Sequence, residues 1–359
     1  MITKLPLPRR QFLRATAAGA AALGLAGFSG QRAQAASDIV MAGWGGDYQQ
    51  HQADSFAVPY TAESGVNVIQ VTSPGNMVSI IKSQVDANNP EWDVVELTVP
   101  EVYALVNDGY LTSLTYDPAV ASEFPAGILD THDAPFVYAA FVLAWNTEAY
   151  PDRQPSSWAD FWNVTDFPGR RTACGWFPYY MIEIALMADG VPVDQVYPLN
   201  EEKIEHAFKK LEELRPYIDV WWGAGAQSAQ LFADGEVVMG MIYENRITEA
   251  FKAGKPVAWT LNQALIEPST YVIPSSSQNK EAAMQFINTA LRKENQAAFV
   301  RAGGYGATNP QAYTLLTEEE SANNIGSPNN LPVEHIIDGK YWAIEYPKYA
   351  DRWEVFKAG

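Results

Sequence analysis

The sequence predicts an α/β protein of two lobes, each built on a mostly parallel sheet covered by helices on both faces. Three observations carry this. The first hundred or so residues alternate strand-like and helix-like stretches three times over, and a second alternation begins after residue 145. Without its leader the chain runs to about 324 residues, more than one hydrophobic core usually holds.

Taken in order, an apolar strand over 38–42 runs into Gly43-Trp44-Gly45-Gly46-Asp47, and a helix is expected from Tyr48 to Tyr60. A strand over 66–71 leads to Ser73-Pro74-Gly75-Asn76 and a helix over 77–87. A third strand, 92–97, ends at Thr98-Val99-Pro100 and a helix to Asp108. In such sheets, loops at the carboxyl ends of the strands converge on one edge, where ligands bind. Trp44, Asp47, Ser73, Asn76, Glu96 and Thr98 fall on those loops and make a candidate half-site.

A long strand is expected over 136–145. The second alternation then reads as strand 171–174, helices 181–189 and 201–214, strand 218–222, helix 227–233 and strand 237–243. A later strand over 270–273 precedes a strongly periodic helix over 281–291. No repeat or Gly/Ser linker separates the halves, so strands are expected to cross directly between them.

The leader has its own signature. Pro8-Arg9-Arg10-Gln11-Phe12-Leu13-Arg14 precedes a weakly hydrophobic Ala/Gly/Leu stretch and Ala33-Gln34-Ala35, the small-x-small form that signal peptidase accepts. Arg9 and Arg10 resemble the twin-arginine export signal, which implies the twin-arginine translocase as a partner; Pro8 and Arg14 depart slightly from its usual residues. Cleavage after Ala35 leaves a soluble periplasmic protein, because no Cys follows for a lipid anchor and no later apolar run reaches about 18 residues. It also removes five basic residues and no acid, moving the formal charge from −18 to about −23. Such a surface repels nucleic acid and favours cationic solutes at encounter.

Catalysis finds little support. Gly-x-Ser-x-Gly is absent, and His51, His132, His206 and His335 stand in unlike contexts without an evident Ser or Cys partner. No metal-binding spacing occurs, so neither metal nor cofactor is expected. Cys174 stands alone and is read as structural.

Several stretches, GWGGDYQ (43–49), EWDVVEL (91–97), SWADFWNVTDFPGRR (157–171), EIALMADGV (183–191), VWWGAGAQSAQLFADGEV (220–237), YVIPSSSQNKEAAMQFINTAL (271–291) and YGATNP (305–310), stand in an order and spacing that resemble the spermidine/putrescine-type extracellular solute-binding proteins. The resemblance implies a Venus-flytrap periplasmic binding protein, with 36–143 plus 268–305 as lobe 1 and 144–267 plus 306–359 as lobe 2. It implies a monomer that closes on its ligand and delivers it to an ABC permease in the cytoplasmic membrane. Related sites hold amines between aromatic faces and carboxylates. Here Trp44, Tyr48, Trp176, Phe177, Tyr180, Trp222 and Tyr243 are the aromatic candidates, and Asp47, Glu96 and Glu267 are acidic ones. Glu101 and Glu244 are further acids, and Asn309 lies in the matched YGATNP. Trp221 and Trp222 are strand neighbours, so at most one faces the cleft. Phe177 and Tyr180 stand where polyamine binders carry acids, and Ser269 stands near a family aspartate. Arg246 suits a ligand carboxylate or an internal salt bridge with Glu244 or another acid. The ligand class expected is a small organic amine, either a short polyamine such as putrescine or spermidine or an ω-amino acid such as γ-aminobutyrate. A ligand-sensing protein for a membrane receptor and an exported hydrolase are the alternatives.

Overall fold

In the computed structural model, which describes residues 38–73 and 75–359, β1 (Ile39–Gly43) leads into α1 (Gly46–Gln52), a wide π turn over Ala53–Ala57 and α2 (Val58–Ser64). Pro59, at the start of α2, has no N–H to give to a preceding carbonyl, and the wide turn lies directly ahead of it. β2 (Val68–Thr72), α3 (Met77–Asp86), β3 (Val94–Thr98) and α4 (Val99–Val106) complete the first alternation, followed by α5 (Pro118–Ala121) and the long β4 (Ala134–Asn146). The second alternation comprises α6 (Trp158–Trp162), β5 (Arg171–Cys174), α7 (Pro178–Ala188), α8 (Glu201–Leu214), β6 (Ile218–Trp222), α9 (Gly225–Ala233), β7 (Met239–Tyr243) and α10 (Glu244–Lys252). The 16-residue β8 (Val257–Val272) then runs back. α11 (Lys280–Leu291), α12 (Lys293–Gly303), β9 (Gly306–Ala307), α13 (Glu318–Ala322), β10 (His335–Ile336) and α14 (Gly339–Ala358) follow.

The strands hydrogen-bond in the order β2-β1-β3-β8-β4-β7-β5-β6. Two parallel triplets, β2-β1-β3 and β7-β5-β6, flank the antiparallel pair β8 and β4. β8 pairs with β3 at one end and β4 pairs with β7 at the other, so these two strands are the direct crossings expected between the halves. Their ladder shifts register between Pro135 and Val137 and between Phe141 and Leu143.

Side-chain alternation explains how the first half is covered on both faces. Met41, Val94 and Tyr271 enter one core with Phe56, Phe136 and Phe286. Their neighbours Ala42, Val95 and Val272 enter the opposite core with Met77, Ile81 and Leu105. The second half has a larger core, and α7 is buried along its whole length between the sheet and the C-terminal α14.

Candidate functional site

The first half-site is set by the turn after β1. Gly45 has φ 81°, and a Cβ there would meet the Thr72 side chain at 2.6 Å. Only glycine therefore lets the chain turn into α1 against β2. Trp44 is left 43% exposed, and Asp47 lies exposed in the first turn of α1. Tyr48 packs edge-on against Tyr305 (5.0 Å between centroids) and Phe299 (5.8 Å), and its hydroxyl donates to Glu96 Oε1 at 2.5 Å. One helical turn later, Gln52 Nε2 donates to Glu96 Oε2 at 2.9 Å. Burial raises Glu96 to about 7 against the pull of these donors. Thr98 caps α4: its N–H and hydroxyl donate to Glu101 Oε2 at 2.9 and 3.0 Å.

The facing half-site is aromatic. Trp176, 37% exposed after β5, lies edge-on to Trp222 (5.3 Å) and 6.3 Å from the Tyr243 ring. Phe141 packs on Tyr243 at 4.1 Å and on Tyr180 at 4.6 Å, while Phe177 stacks on Tyr179 at 5.2 Å. The Tyr180 hydroxyl reaches both oxygens of Glu267, at 2.9 and 2.8 Å, and the Tyr179 hydroxyl lies 3.4 Å from Oε1. Burial lifts Glu267 to about 8, and the neighbouring Glu101 charge adds to the rise. Arg246 runs beside Tyr243: a Cβ built on Gly225 would lie 3.5 Å from the Tyr243 ring and 4.0 Å from Arg246 Nε. Its internal partner is Glu249, at 3.4 Å, and not Glu244. Glu244 instead accepts from the Thr248 hydroxyl at 2.6 Å and is raised to about 7 by burial.

Two α/β halves joined by crossing strands, with exposed indoles and buried carboxyls near the crossing, are the architecture of a solute trap. A model of bacterial extracellular solute-binding proteins matches residues 55–326. The chain belongs to this family. The γ-aminobutyric acid-binding protein of Pseudomonas aeruginosa is 31% identical over 341 residues, 93% of this chain and 95% of that one. The spermidine/putrescine-binding periplasmic protein of Escherichia coli is 25% identical over 328 residues, 84% of this chain and 86% of that one. Among solved structures, an ABC transporter substrate-binding protein from Bradyrhizobium japonicum aligns with TM-score 0.83 at 33% identity, covering 89% of this chain and 99% of that one. The Atu4243 GABA receptor aligns with TM-score 0.76 at 31% identity, covering 89% and 97%.

In this solute-binding protein the expected residues fall into three sets. Trp44, Asp47, Tyr48, Glu96 and Thr98 gather at the carboxyl edge of the first half; Phe177, Tyr180, Tyr243, Arg246 and Glu267 gather in or beside the aromatic wall of the second. Ser73 and Asn76 shape a turn. The Ser73 hydroxyl accepts from the Gly75 N–H at 3.2 Å, and Asn76, at φ 55°, starts α3. Two further expected residues are held by the protein itself. Trp222 is wholly buried behind Trp176, with its indole N–H on the Met241 carbonyl at 2.9 Å. Asn309 is also wholly buried; its amide donates to Glu123 Oε2 at 2.8 Å and the Leu291 carbonyl at 3.0 Å, and its carbonyl accepts from the Gln311 N–H, so it fixes a chain turn.

Sequence reasoning missed Gln52, Phe141, Tyr179 and Tyr305 as parts of this assembly. Gln52 carries a readable signal, since it lies four residues after Tyr48 on one helix face. Phe141 and Tyr305 carry none, because both read as ordinary core. Arg9, Arg10 and Ala35 lie outside the described residues, and among those described no helix is long and apolar enough to cross a membrane.

Proposed function

We propose that this protein captures a small organic amine bearing a carboxylate, an ω-amino acid of the γ-aminobutyrate kind, in the cleft between its lobes and delivers it unaltered to the permease of an ABC importer. One observation carries the choice. Arg246 stands beside the Tyr243 and Phe141 wall with, among the described residues, a single exposed glutamate 3.4 Å away, which leaves most of its five donors for a second carboxylate. A pure polyamine would meet like charge there. The γ-aminobutyric acid-binding relative and the GABA receptor structure support the same class.

The remaining expectations belong to this reading. The chain is exported through the twin-arginine translocase on Arg9 and Arg10, cleaved after Ala35 and acts as a periplasmic monomer. Its lobes are 36–143 with 268–305 and 144–267 with 306–359, the limits after 143 and 267 falling inside the shared strands β4 and β8. Closure follows from contacts made to both lobes at once. Isothermal titration of γ-aminobutyrate, putrescine and spermidine, with solution scattering of the free and loaded protein, tests the reading. Binding of γ-aminobutyrate with compaction is expected; preference for either polyamine over γ-aminobutyrate refutes it.

A further inference from the structure

The buried carboxyls differ in how well the protein itself satisfies them. Glu96 receives one donor on each oxygen, the Tyr48 hydroxyl on Oε1 at 2.5 Å and the Gln52 amide on Oε2 at 2.9 Å. Glu183 receives the Trp342 indole N–H at 2.5 Å and the Tyr197 hydroxyl, and meets His335 Nε2 at 2.9 Å. Glu267 has only two phenols. A carboxylate offers about four acceptor positions, and the single proton of the Tyr180 hydroxyl is shared between both oxygens. Among the described residues Glu267 forms no ion pair and its side-chain partners are these two phenols, while Glu101 and Glu183 press on it with like charge. An ionised carboxylate so placed is expensive to bury.

Its position suits a ligand. Glu267 and Ser269 lie on the same face of β8; Ser269 stands opposite Thr98, whose helix carries Glu101 in its first turn. The Glu101 charge reaches Glu267, Tyr179 and Tyr243, so an acid of the first lobe faces the aromatic wall of the second. The rings of Tyr180, Phe141 and Tyr243 pack on one another in a row that runs from Glu267 towards Arg246, with Tyr180 and Phe141 buried.

We propose that Glu267, assisted by Glu101, receives the ammonium group of the solute, and that capture expels a proton from the Glu267 carboxyl to solvent. The inference rests on the amine reading above and fixes the ligand's direction: ammonium at Glu267, carboxylate at Arg246. The step balances without a further reactant. The neutral acid loses its O–H proton to water, and the ammonium keeps its own protons and becomes the counter-ion. The groups facing Glu267 are Tyr179, Tyr180 and Glu183 on α7, Glu101 on α4, Tyr243 at the head of α10 and Cys174 on β5. None of them supplies a positive charge. With Glu267 raised to about 8, most molecules hold the proton at pH 7. Affinity for γ-aminobutyrate should therefore rise on the order of tenfold per pH unit between pH 6 and 7.5.

The test is calorimetric titration of γ-aminobutyrate and of butyrate into wild type, Glu267→Gln and Glu101→Gln, each in two buffers of different ionisation enthalpy. Wild type should release close to one proton at pH 7 and prefer γ-aminobutyrate to butyrate. Glu267→Gln should bind γ-aminobutyrate about a hundredfold more weakly, without proton release or pH dependence, and keep an unfolding midpoint at or above that of wild type. Glu101→Gln should weaken the same ligand severalfold. Wild-type binding of γ-aminobutyrate without proton release, or undiminished binding by Glu267→Gln, overturns the inference and leaves the amine reading standing. If wild type takes neither γ-aminobutyrate nor putrescine, both fall.

Discussion

Replacing Arg246 by alanine separates what this residue does for the fold from what it does for the ligand. Its side chain is 41% exposed and its partner Glu249 58%, at 3.4 Å and one helical turn apart. An ion pair so exposed contributes at most about 1 kcal/mol, so the unfolding midpoint should barely move. Binding is another matter. A carboxylate clamped by the guanidinium in a closed, partly dehydrated cleft loses about 2–5 kcal/mol when the clamp is removed, and the residual exposure of Arg246 places this near the lower end. That corresponds to a loss in γ-aminobutyrate affinity on the order of 30- to 150-fold. Putrescine, which has no carboxylate, should bind the variant as well as wild type or slightly better, since a like charge has gone. Arg246→Lys keeps the charge but not the planar fork, and should fall between the two. Isothermal titration of both ligands against the three proteins gives the comparison. Undiminished γ-aminobutyrate binding by Arg246→Ala would show that the guanidinium does not hold the ligand.

Stability should depend on pH in a direction set by the buried acids. Glu96, Glu244, Glu334 and Asp133 are raised to about 7 and Glu267 to about 8, so the folded state favours their neutral forms. Their cost is absent below the ordinary carboxylate range and grows as pH climbs through 4.5 to 8, so the unliganded protein should melt at lower temperature at pH 8.5 than at pH 5.5, and a scan showing the reverse contradicts the assignment. Trp222→Ala should cost about 3–5 kcal/mol in urea unfolding, whereas Trp44→Ala should stay within about 0.5 kcal/mol while weakening ligand binding; equal stability losses would refute the placement of one in the core and the other in the cleft. Exchange of Arg9 and Arg10 for lysine should hold the precursor in the cytoplasm, and normal appearance of the mature protein in the periplasm would exclude the twin-arginine route.

The first half was legible to within about two residues per strand, because β1 and β3, buried on both faces, read as apolar runs, and the edge strand β2 keeps enough β-branched residues to do the same. β8 was not. Only its end was read, since Asn262, Gln263 and Pro268 break the apolar pattern, and Gln263 adopts a left-handed φ of 61°. Those interruptions occur where the strand passes from one lobe to the other and its neighbours change, which no local window records. α14 gave no helical signal either: it packs against both α4 and α7, so its apolar residues do not form one stripe, and Pro347 lies inside it. At the site, strand parity separated Trp221 from Trp222 correctly, yet it gave no hint that Trp176 would cover Trp222. The carboxyls were visible as residues but not as states. Whether Glu96 or Glu267 is satisfied depends on donors brought by α1 and α7, and their reach is a property of packing alone.

The same packing sorts the tryptophans. Trp92, Trp145, Trp158, Trp222, Trp342 and Trp353 are buried, whereas Trp44 and Trp176 are more than one-third exposed, one on each lobe and both beside the proposed binding region. A solute that shuts the cleft strips water from these two indoles and, apart from Trp222, which packs on Trp176, leaves the environment of the buried ones almost unchanged. The protein therefore carries its own optical gauge: occupancy should be readable as a shift in intrinsic emission without any attached dye. Phenylalanine at position 44 or 176 in turn would show which lobe's indole senses the arrival.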